Sequence, residues 1–225
     1  DTVADLLRKY DLSPICIVAG WLDDAETVEM IVNSLPSVAD LGATYLGVIP
    51  PRRSLASSAT FHDRLDTILD RCRDCGVTPV VHHHAGSLIE TPAEIERFLS
   101  TRDIDVLFDT AHYDLYGECQ AGVDRFGDRI AHVHLKDLTP TTSPTYFETC
   151  VDELDVEHPN FDSIVTVYRS FTDLGEGRIP LEATCTALVD RGYDGAVTIE
   201  VENQTSDPLV HAKWNADFVR QLLGQ

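Results

Sequence analysis

Three consecutive histidines, His82-His83-His84, close an apolar segment, Thr78 to Val81, and run into the small-residue turn Ala85-Gly86-Ser87. Two later segments repeat the arrangement. Ile104-Asp-Val-Leu-Phe108 leads into Asp109-Thr110-Ala111-His112, and Ile130-Ala131 leads into His132-Val133-His134-Leu135-Lys136-Asp137. A fourth apolar run, Val197-Thr198-Ile199, ends in Glu200. Side chains alternate across a strand, so His82 and His84 share one face and His83 points to the other. His132, His134 and Lys136 likewise share a face, and Glu202 lies one pleat beyond Glu200. Imidazole with carboxylate is a ligand set for a divalent metal. A single strand histidine is more often a hydrogen-bonded structural residue; several at successive strand ends argue for a site. Asp109 needs a partner, because an unpaired buried carboxylate is costly, and a metal, a helix N-terminus or an arginine would each serve. Lys136 is either a group that acts on substrate or one half of a salt bridge with Asp109 or Asp137. Gly175-Glu176-Gly177-Arg178-Ile179 reads as a tight turn.

The elements that must position these groups alternate. Buried strands are expected at 14–19, 43–49, 78–84, 104–109, 130–135 and 196–201. Helices are expected at 3–10, 24–41, 60–75, 92–100, 119–127, 181–191 and 208–223. Pro36 should break or kink the second helix. Gly76 should cap the third. The stretch 138–170, rich in Thr, Pro, Asp and Glu, reads as irregular. Strand–helix alternation with near-continuous apolar strands means a parallel sheet covered on both faces. Sites in such folds form at the C-terminal strand ends, where the histidines and carboxylates fall. No G-x-G-x-x-G or Walker pattern supports nucleotide binding.

Length suggests one domain spanning 1–225. The net charge is -21, from 38 Asp and Glu against 17 Lys and Arg, and the lysines are Lys9, Lys136 and Lys213. So acidic a surface repels phosphate backbones, so nucleic acid is not an expected partner. The acidity is spread along the chain, as in a salt-adapted protein, with a merely acidic protein as the alternative. Six cysteines, at 16, 72, 75, 119, 150 and 185, form no disulfide framework. Cys72-x-x-Cys75 lies mid-helix and reads as a helix face before a zinc or redox motif. No apolar run is long enough to span a membrane and no signal peptide is visible, so a cytoplasmic location and no membrane partner are expected.

Taken in order, His82-His83-His84-Ala-Gly-Ser87, Phe108-Asp109-Thr110-Ala-His112, Arg129-Ile-Ala-His132-Val-His134-Leu-Lys136-Asp137, Leu174-Gly-Glu-Gly177 and Gly192-Tyr-Asp-Gly-Ala-Val-Thr-Ile-Glu200 resemble the xylose-isomerase-like TIM-barrel superfamily of sugar phosphate isomerases and epimerases. Within it they are most similar to the inosose dehydratase branch. The resemblance covers about residues 75–223, and the earlier part by strand–helix pattern. It implies an α/β fold, the (β/α)8 barrel. Six strands are legible where a closed barrel has eight, so the chain is expected either to lack a first β-α-β unit, roughly 35–45 residues, or to form a barrel open at one side. The resemblance also implies one divalent metal (Mn, Co, Zn or Mg) held by Asp109, His134, Glu200 and a group from the segment ending at His82. Many relatives supply a glutamate from that segment; here His82 stands near its place and Glu90 follows, so the fourth ligand is one or the other.

The chemistry such a site implies is isomerisation or epimerisation of a sugar or keto-polyol through an enediolate. Its alternatives are an inosose-type dehydration on the same scaffold and a barrel that binds without catalysis. Glu200 is the leading base, with Lys136 and His112 as further catalytic candidates and His84, His132, Glu176 and Glu202 as substrate contacts. The expected partner is a small-molecule sugar or polyol, and assembly into homo-oligomers is open to the chain. The charge predicts that stability rises with salt, because the screening length falls from about 10 Å at 0.1 M to about 3 Å at 1 M. Melting in KCl across that range should show an increase; a flat or falling midpoint would oppose salt adaptation.

Overall fold

A computed structural model describes residues 2–55, 57–145, 147, 160–202 and 207–222. Cys150, the 148–159 part of the irregular stretch and residue 223 of the last helix fall outside the described residues. The chain divides into two compact units, 1–82 and 83–225.

In the first unit three parallel strands pair in the order β1 (Cys16–Trp21), β2 (Tyr45–Ile49) and β3 (Thr78–His82). Helices α1 (Val3–Tyr10), α2 (Ala25–Asp40) and α3 (Ser58–Cys75) complete it. Asp24 starts α2 by accepting the Thr27 N–H at 2.7 Å. Pro36 does not end α2, which continues to Asp40. The lost backbone bond is offset by apolar packing, since Val28, Ile31, Leu35 and Val38 are all buried. On α3, Phe61, Leu65, Ile68 and Cys72 form the inward face. Cys72 therefore belongs to the core, which is the helix-face reading of the C-x-x-C. Gly76 closes α3 at φ +69°, as its position predicts. β3 ends on His82, which is buried.

The second unit carries β4 (Val106–Asp109), β5 (Ile130–Leu135) and β8 (Val197–Ile199), again parallel. Asp109 stands beside His134, and His134 beside Thr198, so the strand ends are level. Helices α4 (Pro92–Thr101) and α6 (Cys119–Phe126) fall where expected, as do α8 (Leu181–Asp190) and α9 (Pro208–Leu222). Two helices were not expected. α5 (Thr110–Asp114) follows β4 without a break, and α7 (Phe161–Arg169) lies inside the stretch read as irregular. Asn160 starts α7 by accepting the Asp162 N–H at 3.1 Å. Arg129 ties the N-terminal side of the sheet together, bonding Asp105 at 2.6 Å and the carbonyls of Leu99, Arg102 and Ile104. Among the described residues no helix is long and apolar enough to cross a membrane.

Beyond β5 the chain pairs β6 (Asp137–Leu138) antiparallel to β7 (Phe171–Thr172). Asp137 is fully buried, and its carboxylate accepts four backbone N–H groups. Oδ1 takes Leu138 and Ile179 at 2.9 and 3.0 Å; Oδ2 takes Gly175 and Gly177 at 3.0 Å each. The glycines of the 174–179 turn are thus explained individually. Gly175 sits at φ +85°. A Cβ on Gly177 would fall 2.2 Å from Asp137 Oδ1. Gly177→Ala should therefore displace the turn and destabilise the protein by about 1–3 kcal/mol, the usual cost of overpacking. Denaturant unfolding checks this, and an unchanged midpoint would show that the turn yields freely.

Candidate metal centre

Asp109 is fully buried and divides its work between two oxygens. Oδ1 caps α5, accepting the N–H groups of Ala111 at 2.9 Å and His112 at 3.0 Å. The Asp109 N–H itself is donated to His83 Nε2 at 3.1 Å. These three bonds aim Oδ2 toward His134 Nδ1 at 3.8 Å, Lys136 Nζ at 3.9 Å and His112 Nε2 at 4.0 Å. The helix-cap and cation roles that the sequence left as alternatives are thus held together, one on each oxygen. Burial pushes the Asp109 carboxyl above its ordinary range, against the pull of the Lys136 charge.

Glu200, just past β8, completes the group. Its N–H is donated to the Leu135 carbonyl at 3.1 Å, which holds it level with the end of β5. Its Oε2 is buried without a well-aligned hydrogen bond, 2.7 Å from His134 Nδ1, while Oε1 accepts from Lys136 at 3.1 Å. Burial alone would raise this carboxyl, but the His134 imidazole and the Lys136 charge outweigh it and hold it low. Ligand atoms of Asp109, His134 and Glu200 lie within 4.8 Å of one another. Two carboxylates and an imidazole, with a buried carboxylate oxygen turned toward the imidazole nitrogen, fit a divalent cation.

Lys136 is 2% exposed and surrounded by acceptors. Besides Glu200 and Asp109 it donates to Glu202 Oε2 at 3.3 Å, and its ammonium sits 4.2 Å from the Phe171 ring centroid. Thr110 grips its backbone on both sides. The Thr110 hydroxyl donates to the Lys136 carbonyl at 2.7 Å and accepts its N–H at 2.9 Å. The salt bridge to Asp137 that the sequence allowed does not form, because that carboxylate is given to the 174–179 turn. Thr110 and Phe171 were missed from sequence. Thr110 stood inside the Asp-Thr-x-His string; Phe171 carried no local signal, because only the β6–β7 pairing brings it here.

The other candidates divide. His84 and His112 meet ring to ring, centroids 3.6 Å apart, with His84 Nδ1 on the Ala85 carbonyl at 2.8 Å. Burial pushes His84 down to about 4. His132 is fully buried one pleat below His134, its Nε2 2.8 Å from the Thr198 hydroxyl, and burial takes it to about 4 as well. Glu90 Oε2 accepts from Gly86 N–H at 2.6 Å and from the Tyr116 hydroxyl at 2.9 Å, bracing the 84–90 turn. Glu176 is exposed on the 174–179 turn. His82 belongs to the first unit, at the end of β3.

Replacing His134 with Ala should abolish stoichiometric divalent-metal binding while the metal-free protein still folds, since strand-end residues serve function and the core carries stability. Metal content after dialysis and circular dichroism check this together. Full metal content in the variant would make His134 structural only.

Residues 1–222 match the family model described as the xylose isomerase-like TIM barrel. The inosose dehydratase of Lacticaseibacillus casei is 34% identical over 144 residues, covering 61% of this chain and 45% of that protein. That of Erwinia tasmaniensis is 33% identical over 253 residues, covering 98% and 82%. The chain thus spans less than half the length of the first of these relatives. Among solved structures, a D-tagatose 3-epimerase-like protein superposes with a TM-score of 0.74 at 18% identity, covering 99% of this chain and 81% of that one. The IOLI protein with a zinc atom bound gives 0.72 at 16% identity, covering 99% and 82%. With a family match running from end to end and an acid–imidazole cluster at parallel-strand ends, the chain belongs to the xylose isomerase-like TIM barrel family.

Proposed function

We propose that this protein is a divalent-metal-dependent lyase that removes water from an inosose-type keto-polyol. The observation that carries this reading is the direct contact between Glu200 Oε1 and Lys136 Nζ, 3.1 Å apart beside the candidate metal ligands. A dehydration needs a base for the proton next to the carbonyl and an acid for the departing hydroxyl. Glu200, held ionised, is the base. Lys136, held protonated by three carboxylates, is the acid. Glu200 takes the α-proton and the electron pair forms the carbon–carbon double bond. The β carbon–oxygen bond breaks, and the Lys136 proton goes to the oxygen, releasing water. The proton on Glu200 then crosses to Lys136, which restores both groups without help from solvent.

A divalent cation at Asp109, His134 and Glu200 would stabilise the negative charge that develops on the substrate oxygens. The zinc in the IOLI structure and the dehydratase names of the relatives support this reading. His84, a neutral imidazole, and His112 are offered to substrate hydroxyls, and Glu202 holds Lys136 in place. Isomerisation or epimerisation is the second reading. It is favoured by the presence of two carboxylates, Glu200 and Glu202, on one lysine, since proton return to carbon needs a second acid–base group.

Incubating the metal-loaded protein with keto-inositols and following product mass separates the two. Loss of one water supports the lyase, and an isomer of unchanged mass supports the second reading. Lys136→Met should lower kcat by about 10²–10⁴-fold, the usual contribution of one acid–base group. Undiminished turnover in this variant would remove Lys136 from the mechanism.

A further inference from the structure

We propose that Lys136 is a built-in counter-cation that competes with the divalent metal for Glu200 and so sets the protein's metal affinity; this rests on the metal reading of the site. Lys136 Nζ is 3.1 Å from Glu200 Oε1 and 3.9 Å from Asp109 Oδ2, so it engages two of the three candidate ligands at once. It is held there from several directions. Glu202 draws it at 3.3 Å, the Phe171 face lies against it at 4.2 Å, and Thr110 fixes its backbone N–H and C=O. At 2% exposure the ammonium is shielded from water, and like charges repel strongly in such surroundings. A cation held by Asp109 and Glu200 would share both carboxylates with this ammonium, and the two positive charges would repel.

Charge decides the direction of the effect. Asp109, Glu200 and Glu202 carry three negative charges when ionised, and Lys136 returns one positive. The remainder is two negative charges, the complement of one divalent ion. Without Lys136 the same carboxylates would face the metal with three negative charges, and Glu200 would have no ammonium to give up, only its His134 contact. Glu202 has the opposite influence. It is not among the candidate ligands, and it neutralises the lysine and draws it away from Glu200. Removing its charge would leave the ammonium less compensated and more firmly bound to Glu200.

The two substitutions should therefore move affinity in opposite directions. The metal-free protein and its Lys136→Met and Glu202→Gln variants are titrated with Zn²⁺ and with Mn²⁺ by calorimetry, and their melting points are measured with and without metal. Expected are a Kd at least tenfold tighter for Lys136→Met, with a larger melting-point rise on adding metal, and a Kd several-fold weaker for Glu202→Gln. A lysine that merely supports the fold would weaken binding when removed, so equal or weaker affinity in Lys136→Met overturns the inference. Should that variant not fold without metal, Glu202→Gln decides, and equal or tighter binding there overturns it. Failure of the unaltered protein to bind either ion would overturn the metal reading and this inference together; binding by it with either of the contrary shifts sinks the inference alone.

Discussion

A buried ammonium has to be matched on every side, and Lys136 shows how much structure that demands. Breaking such a buried pair by removing one partner typically costs 3–5 kcal/mol, because the other charge is left behind. Its partners come from separate places in the chain. Asp109 closes β4, Glu200 and Glu202 follow β8, and Phe171 opens β7. β8 is only three residues long, and Val197 and Ile199 are 39% and 36% exposed, so apolar burial alone anchors it weakly. The ion pairs of Lys136, with the Glu200 N–H on the Leu135 carbonyl, help to hold that strand end at the site. Lys136 thus assembles the acidic groups around itself.

Two aspartates make the arrangement specific by dividing their oxygens. Asp109 uses one oxygen to start α5 and presents the other to His134 and Lys136. Asp137, one residue after Lys136, spends both oxygens on backbone N–H groups of its own strand and the 174–179 turn. Because Asp137 is satisfied locally, it does not compete for the ammonium next to it. Burial raises its carboxyl while the four N–H donors act in the other direction. Neighbouring acids in one short segment therefore have different fates, decided by which backbone donors reach them.

Much of this was legible in the sequence. The six parallel strands announced themselves as apolar runs, and their polar ends pointed to Asp109, His134, Lys136 and Glu200. The 130–135 strand falls where expected, and several limits of the others shifted by one or two residues, since a strand ends where pairing ends and not where apolar residues do. α5 escaped notice because five residues directly after a strand show no helical period. α7 escaped because β-branched Val165 and Val167 weaken the helical signal, and its start depends on Asn160. Partners set by strand register were beyond reach. That His132 meets Thr198, or that Phe171 lies under Lys136, follows from pairings between segments 66 and 35 residues apart. Glu90 illustrates the limit of residue type. A glutamate near a histidine run suggested a ligand, and the fold adds a second role that residue type does not reveal, its Oε2 accepting from Gly86 and Tyr116.

Three of the strand-end histidines, His83, His84 and His132, are not carriers of charge. Burial pushes His83 to about 3 and His84 and His132 to about 4, so all three are neutral near pH 7. Neutral imidazoles can orient hydroxyls and backbone groups, as His83 does for the Asp109 N–H and His132 for Thr198. They cannot supply the positive charge that three carboxylates require. Lys136 supplies positive charge to all three, at 3.1 Å from Glu200, 3.3 Å from Glu202 and 3.9 Å from Asp109. In the lyase reading proposed above, proton movement belongs to the Glu200–Lys136 pair, while the neutral imidazoles set shape and hydrogen-bond direction. A strand end rich in histidine thus becomes a centre whose electrostatics are carried by its acids and its single buried lysine.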